Sequence, residues 1–240
     1  MRAIVVARTH VGNVRKRNED AFVVDRAFVS KMPESQLNDT FGIEEPILLG
    51  VADGIGGHKA GDIASDIAVS GLSARRFADR DALASELQTI DTTLLAQGSA
   101  ADTFRMGTTF CGMLLGPQPV GVVIGDGFLA VRSGRALQPF GPSWDDIAES
   151  TTITSALGGR EASTLPRLAL SWREMPFAIG ARYVIASDGI VRALSYESFA
   201  ESIRVGNDPT ECLERIFSLA LTGAAPDNIT CIIAEVMPES

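Results

Sequence analysis

Three apolar runs in this chain each end in Asp-Gly: Leu48-Leu49-Gly50-Val51-Ala52-Asp53-Gly54, Val122-Val123-Ile124-Gly125-Asp126-Gly127 and Tyr183-Val184-Ile185-Ala186-Ser187-Asp188-Gly189. A short apolar run bounded by glycine reads as a buried strand. The acid then stands at the tip of a core strand, held by the sheet and pointing out of it. A fourth acid, Asp227, stands with Asn228 just before the apolar run from Ile229 to Val236. Any one Asp-Gly is an ordinary turn, because Asp tolerates turn geometry and Gly supplies positive φ. Gathered at one end of a fold, the same acids would make a nest of hard oxygen ligands, suited to Mg²⁺ or Mn²⁺ rather than to Zn²⁺.

Composition narrows the field. A chain of 240 residues, 45% hydrophobic, can bury a sizeable core in one large domain or two small ones. No repeat, linker or low-complexity tract divides it. One domain over residues 1–240 is expected, since the first and last strands both carry acids that must meet. The net charge of −9 repels nucleic acid and anionic membrane alike. Cys111, Cys212 and Cys231 are odd in number and lack a Cys-x-x-Cys pair, so they read as small buried hydrophobes in a reducing compartment. With only His10 and His58 present, a Cys/His zinc site is excluded. The apolar stretch at Met1–Arg8 is too short for a signal peptide. No window approaches the roughly 20 apolar residues of a membrane span. The expectation is a soluble cytoplasmic protein.

Periodicity predicts strands at Ala3–Thr9, Asp20–Val29 and Ile47–Ala52, with a polar loop over Ser30–Glu45 between the last two. A helix follows at Ala60–Ala78. A second helix, capped by Asp81, places Leu83, Leu87, Ile90 and Leu94 on one face. Gly98–Arg105 reads as a connector. Thr108–Leu115, Val120–Ile124 and Phe128–Arg132 read as a meander of neighbouring antiparallel strands, with a hairpin at Ser133-Gly134 leading to Arg135–Gln138. Arg167–Trp172 and Arg182–Ser187 continue the sheet. Helices are predicted at Ser195–Ile203 and Asp208–Leu221, the latter opened by Asp208, Pro209 and Glu211. The last strand is Ile229–Val236. Helices grouped between blocks of antiparallel strands indicate an α+β layered fold.

Several segments carry chemistry. Gly12–Asp20 joins Arg15, Lys16 and Arg17 to the adjacent acids Glu19 and Asp20. It is either a self-compensating solvated hairpin or a site where Arg15 grips a phosphate and the acids hold metal-bound waters. Asp53-Gly54-Ile55-Gly56-Gly57-His58-Lys59-Ala60-Gly61 fails the P-loop pattern, since Ala60 follows Lys59, and fails the dinucleotide fingerprint at its last glycine. An aspartyl-phosphate Asp-x-Asp nucleophile is disfavoured by Ile55. What remains is a loop stripped of side chains beside a carboxylate, where the Gly54 carbonyl could also reach a cation. His58 is either a polar loop residue or a proton donor near neutral pH.

Taken in order, Gly12–Phe22, Asp53–Ser65, Met106–Thr109, Gly125–Gly134, Ala156–Gly158, Ser187–Ile190 and Asp227–Thr230 resemble the metal-dependent Ser/Thr protein phosphatases of the type 2C (PPM) family, bacterial branch. The resemblance covers nearly the whole chain. It implies a four-layer α/β/β/α sandwich, two antiparallel sheets flanked by helix pairs. It also implies two Mn²⁺ or Mg²⁺ ions and a third, weaker one. On that pattern Asp53 bridges the two ions, the Gly54 carbonyl joins one, and Asp188 with Asp227 joins the other. Glu19 and Asp20 act through water, Asp126 with Asp188 holds the third ion, and Arg15 binds the substrate phosphate.

The implied activity is hydrolysis of phosphoserine and phosphothreonine by direct attack of a water shared between the metals. Two such ions lower the pKa of water from 15.7 to about 7. The implied partner is a phosphoprotein made by a bacterial Ser/Thr kinase, and the expected state is a monomer. Two other readings stay open: a metal phosphoesterase for small molecules, and a catalytically weak regulatory binding module of the same fold. The chain departs from the family at Gly125-Asp126-Gly127-Phe128, where relatives carry Gly-Asp-Ser-Arg. The flap at about 138–156 is short. His58 lies further after Asp53 than the proton-donating His of eukaryotic relatives. Within the flap, Asp145 and Asp146 read as helix-capping acids in preference to cation ligands.

Overall fold

Along the central strands successive side chains enter different layers. In β1 (Arg2–His10), Ala3, Val5 and Ala7 enter one apolar core and Val6 another, as the two-residue period of a strand requires. The computed structural model describes residues 1–26, 28–29, 33–55, 60–98, 105–134, 136–149, 153, 155–159, 168 and 170–239.

Among the described residues two antiparallel sheets form. In the first, β1 lies between β4 (Glu34–Gly42) and β14 (Ile229–Met237). β13 (Arg182–Ala186), β9 (Phe128–Ser133) and β10 (Ala136–Pro139) complete it, in the order β10-β9-β13-β14-β1-β4. In the second, β5 (Ile47–Ile55) lies between β2 (Asp20–Val24) and β7 (Phe110–Leu115). β3 (Phe28–Val29) pairs with β2, and β8 (Val120–Ile124) and β12 (Ser171–Glu174) extend the far side. The short β6 (Gly107–Thr108) pairs with the end of β5 and with β11 (Leu157–Gly158).

The sheets stack face to face over a core that includes Val5, Phe22, Leu49, Met113, Tyr183 and Ile232. The helices α1 (Gly61–Ser73) and α2 (Arg80–Gln97) cover the second sheet through Leu72, Leu83 and Leu87, which meet Val23, Leu48 and Phe110. On the first sheet lie α3 (Trp144–Glu149), α4 (Asp188–Ala193), α5 (Tyr196–Val205) and α6 (Pro209–Thr222). Phe199, Ile216 and Phe217 there meet Phe128, Val184 and Ile233. Burying one such Leu or Phe contributes roughly 1.5–3 kcal/mol, so three separate apolar interfaces fix the four-layer α/β/β/α order.

Several boundaries differ from the sequence reading. Asp20–Val29 is not one strand but a hairpin, turned at Asp25, whose φ of 48° no strand residue adopts. The expected loop Ser30–Glu45 contains β4, a polar edge strand whose partly buried residues include Leu37 and Phe41, packed on the core. Too few of its side chains are apolar to show a period. The first helix stops at Ser73, not Ala78. Asp79, not Asp81, caps α2, accepting hydrogen bonds from the backbone N–H groups of Asp81 and Ala82. The meander breaks after β8: the Asp126-Gly127 turn carries the chain across the sandwich, so β8 and β9 lie in different sheets. The strand predicted at Arg167–Trp172 begins at Ser171. Most of the Gly98–Arg105 connector lies outside the described residues.

Candidate active site

Where the inter-sheet core reaches one end of the sandwich it turns polar. Asp20 on β2 is opposite Asp53 on β5 in antiparallel register, so both side chains leave the same face of the sheet. That face carries Phe22 and Val51 deeper in. From the other sheet, Thr9, Ser187 and Thr230 occupy the same gap and are fully buried or nearly so. Asp20 Oδ2 accepts from Ser187 Oγ at 2.9 Å and from Thr230 Oγ1 at 2.6 Å. The Thr9 and Thr230 hydroxyls are 2.7 Å apart, and Asn18 Nδ2 donates to Thr9 Oγ1 at 2.8 Å. Asp20 Oδ1 is buried with no hydrogen-bond partner.

Backbone contacts fix Asp53. Its N–H donates to Thr109 Oγ1 at 3.2 Å, and its carbonyl accepts from Thr109 N–H at 2.8 Å and Thr108 Oγ1 at 2.9 Å. Gly54 is required by close approach, since a Cβ there would lie 2.1 Å from the Gly61 carbonyl oxygen. A Cβ on Gly61 would lie 2.9 Å from both the Gly54 carbonyl oxygen and a Glu19 carboxylate oxygen. The Gly54 carbonyl and Glu19 therefore share a space with no intervening side chain.

Asp188 is not simply a strand tip. It is the first residue of α4, separated from the end of β13 by Ser187 alone. Gly189 permits that helix to touch the turn before β14, where a Cβ would lie 1.8 Å from the Asn228 carbonyl oxygen. Asp188 and Asp227 are thereby brought together. Asn228 also ties down the segment bearing Arg15. Its Nδ2 donates to the carbonyls of Val11 at 2.9 Å and Arg17 at 2.8 Å, and its Oδ1 accepts from Glu19 N–H at 2.8 Å. A guanidinium holds each of the two outer acids. Arg15 donates to Asp227 Oδ2 at 2.7 Å, and Arg192 Nε to Asp188 Oδ2 at 2.8 Å.

The electrostatics follow from crowding acids in a buried place. Burial, aided by the charges of Asp188 and Asp227, pushes Asp20 up to about 7 despite its two hydroxyl donors. Asp53 is raised well above the usual carboxylate range by burial, then by the charges of Asp20 and Asp188. Asp126, also buried with an unpartnered Oδ1, is raised by burial and by Asp188. Glu19 is raised by burial and then by Asp62.

Among the described residues no three His, Cys, Asp or Glu side chains are closed into a metal cage. Arg15 and Arg192 each occupy one carboxylate oxygen, on Asp227 and Asp188 respectively. The donor set still fits a hard divalent cation: it is all oxygen, it holds unpartnered buried oxygens on Asp20 and Asp126, and Asp20, Asp53 and Asp126 are raised by burial beside like charges.

An open cavity of about 720 Å³ borders these acids, lined among others by Arg15, Trp144, Asp145, Arg192, Tyr196 and Asp227. Trp144 is fixed by ring contacts with Phe128 and Phe199 at 5.1 and 4.6 Å between centroids. Ser143, and not one of the two acids, caps α3: its Oγ accepts from Asp146 N–H, and Asp146 Oδ2 accepts in return from Ser143 N–H, both at 3.1 Å. All three cysteines are buried and unbridged, and burial raises their thiols. His58 lies outside the described residues.

The sequence reading missed Thr9, Ser187, Thr230 and Arg192. The first three did leave a signal. Thr9 and Thr230 are hydroxyl residues at core-facing strand positions and Ser187 directly follows β13, in step with Ala7, Ile232 and Ile185. Arg192 left only its place four residues after Asp188, a pairing that shows once the segment is known to be helical.

Known proteins resemble this chain over most of its length. The family described as Protein phosphatase 2C matches residues 39–214. The serine/threonine protein phosphatase PstP of Mycobacterium tuberculosis is 30% identical over 214 residues, covering 79% of this chain. The match spans only 40% of that protein's length. The serine/threonine phosphatase stp of Listeria monocytogenes is 25% identical over 253 residues, covering 95% of this chain and 94% of that protein. The crystal structure of the catalytic domain of PstP in complex with two manganese ions superposes with a TM-score of 0.75. It is 26% identical, over 98% of this chain and 100% of that one.

Proposed function

Because this chain belongs to the protein phosphatase 2C family, we propose that it is a metal-dependent phosphatase of phosphoserine and phosphothreonine in proteins. One observation carries the reading. Asp20 and Asp53 from one sheet meet Asp188 and Asp227 from the end of the other, beside the guanidinium of Arg15.

In this reading two Mn²⁺ or Mg²⁺ ions are held by Asp53, the Gly54 carbonyl, Asp188 and Asp227, with Glu19 and Asp20 acting through water. When bound, the ions supply Lewis acidity and a water acidified towards a pKa of about 7. The chain's own groups bind and orient. Arg15 leaves Asp227 and donates to the non-bridging phosphate oxygens, for which its planar fork of N–H donors is suited. Ser187 and Thr230 lock one oxygen of Asp20, leaving Oδ1 buried and unpartnered for a metal-bound water. Trp144 and Tyr196 wall the cavity where residues beside the phosphorylated one lie. The buried cysteines offer no thiolate, so a cysteinyl-phosphate intermediate has no nucleophile.

No helix among the described residues is long and apolar enough to cross a membrane. The reading extends to one catalytic domain over residues 1–240, monomeric and cytoplasmic, acting on products of a Ser/Thr kinase.

The test is release of phosphate from a phosphothreonine peptide with Mn²⁺, with and without chelator, in the wild type and in Asp53→Asn. Activity confined to metal-loaded wild type is expected, and equal rates in every arm would end the reading. Nucleotide or sugar phosphates cleaved in preference to peptide would make it a small-molecule phosphoesterase. No turnover and no calorimetric Mn²⁺ binding would make it a binding module.

A further inference from the structure

Arg192 sits one helical turn after Asp188, and its Nε donates to Asp188 Oδ2 at 2.8 Å. Its positive charge also acts on Asp126 and Asp227. Asp126 is only 8% exposed, and its Oδ1 is buried with no hydrogen-bond partner. Two acids of this end of the cluster, Asp126 and Asp188, thus lie under the influence of one tethered guanidinium.

Charge counting points the same way. When ionised, Glu19, Asp20, Asp53, Asp126, Asp188 and Asp227 carry six negative charges. Arg15 and Arg192 return two, and the four left over are balanced by two divalent ions. A third divalent ion beside Asp126 would meet a fixed like charge and bring the site to net positive.

We propose that Arg192 is a built-in cation for the Asp126–Asp188 end of the cluster, confining divalent ions to the Asp53 end and keeping one away from Asp126. This rests on the reading that the cluster binds divalent ions at all. It gives the chain a charge that no chelator removes, in place of the third, weaker ion that the sequence resemblance implies.

The experiment counts ions. Metal-free wild type and Arg192→Ala are titrated calorimetrically with MnCl₂, and crystals of both are soaked in MnCl₂ for anomalous scattering. The wild type saturates at about two ions. Arg192→Ala gains a third, weaker one with a peak beside Asp126. Adding Asp126→Asn to that variant removes the extra ion. Arg192→Gln, which keeps a donor towards Asp188 without the charge, gains the ion as well and covers the case in which Arg192→Ala fails to fold. Arg192→Lys stays at about two. A peak between Asp126 and Asp188 in the wild type overturns the proposal. So does a stoichiometry unchanged in folded Arg192→Ala or Arg192→Gln. Wild type that binds no Mn²⁺ instead defeats the functional reading beneath it.

Discussion

The Thr230 hydroxyl on β14 donates to the Asp20 carboxylate on β2 at 2.6 Å, a hydrogen bond that crosses from one sheet to the other. Ser187 makes the same crossing at 2.9 Å. The sandwich is thus stitched at its polar end by hydroxyls that hold one oxygen of a buried acid and leave the other unpartnered. An uncompensated buried carboxylate costs stability until a cation arrives, so the same geometry that suits the site for metal makes the metal-free chain sensitive to pH.

The sign of that sensitivity is set by Asp20, whose ordinary value of 3.8 rises to about 7 in the folded chain. The folded state binds this proton more tightly than the unfolded one. Its contribution to stability is therefore complete below pH 3.8 and is lost as pH climbs through about 7. Asp53 and Asp126 are shifted in the same direction. Melting of the metal-free protein should fall by about 5 °C or more between about pH 5 and pH 8. Mn²⁺ at a hundred times its dissociation constant should restore about 2.7 kcal/mol. Asp20→Asn should flatten the metal-free profile and weaken Mn²⁺ binding; a profile as steep as wild type would refute the assignment.

Arg15 is half-exposed and held against Asp227, on a segment that Asn228 fastens with three hydrogen bonds. Arg15→Ala should raise KM for a phosphopeptide about 10- to 100-fold with little loss of melting temperature, because the side chain packs against nothing the core needs. Asn228→Ala should raise KM too, but with a loss of about 1–2 kcal/mol, since it leaves a partly buried N–H and two carbonyls without their partner. Steady-state kinetics beside denaturant melts separate the two behaviours.

Arg182 is buried away from the site and pairs with Glu235. It also donates to the carbonyls of Gly206 at 2.6 Å and Asn207 at 2.7 Å, joining β13 to the link between α5 and α6. Arg182→Met should destabilise the chain by about 3 kcal/mol, chiefly by stranding Glu235 and those carbonyls. Urea unfolding should show this with Mn²⁺ stoichiometry unchanged, because none of these groups touches the acids.

Much of this was readable in the residues, for a physical reason in each case. Apolar runs that end in Asp-Gly located these acids because burial selects the run and the turn selects the dipeptide, although β5 runs on past Asp53 to Ile55 and Asp126 stands two residues beyond β8. Asp208 and Pro209 announced α6 because an N-cap and a proline at the first turn are local requirements. β4 escaped because an edge strand needs few apolar residues, its ladder being supplied by β1. α4 escaped because six residues are too few to show a helical period. The Asp79 cap was missed by two residues, since either acid satisfies the local pattern.

The residues alone determined which chemistry was available: oxygen donors at rigid positions, one arginine beside two acids, and cysteines placed to be buried. That much is local, written in side-chain type and in the periods of helix and strand. Only the tertiary structure decided that Asp20 and Asp53 would share a gap with Ser187 and Thr230. Those contacts join positions up to 210 residues apart, and their energies depend on which sheet stacks on which, a choice made by the three apolar cores and not by the polar groups they bring together.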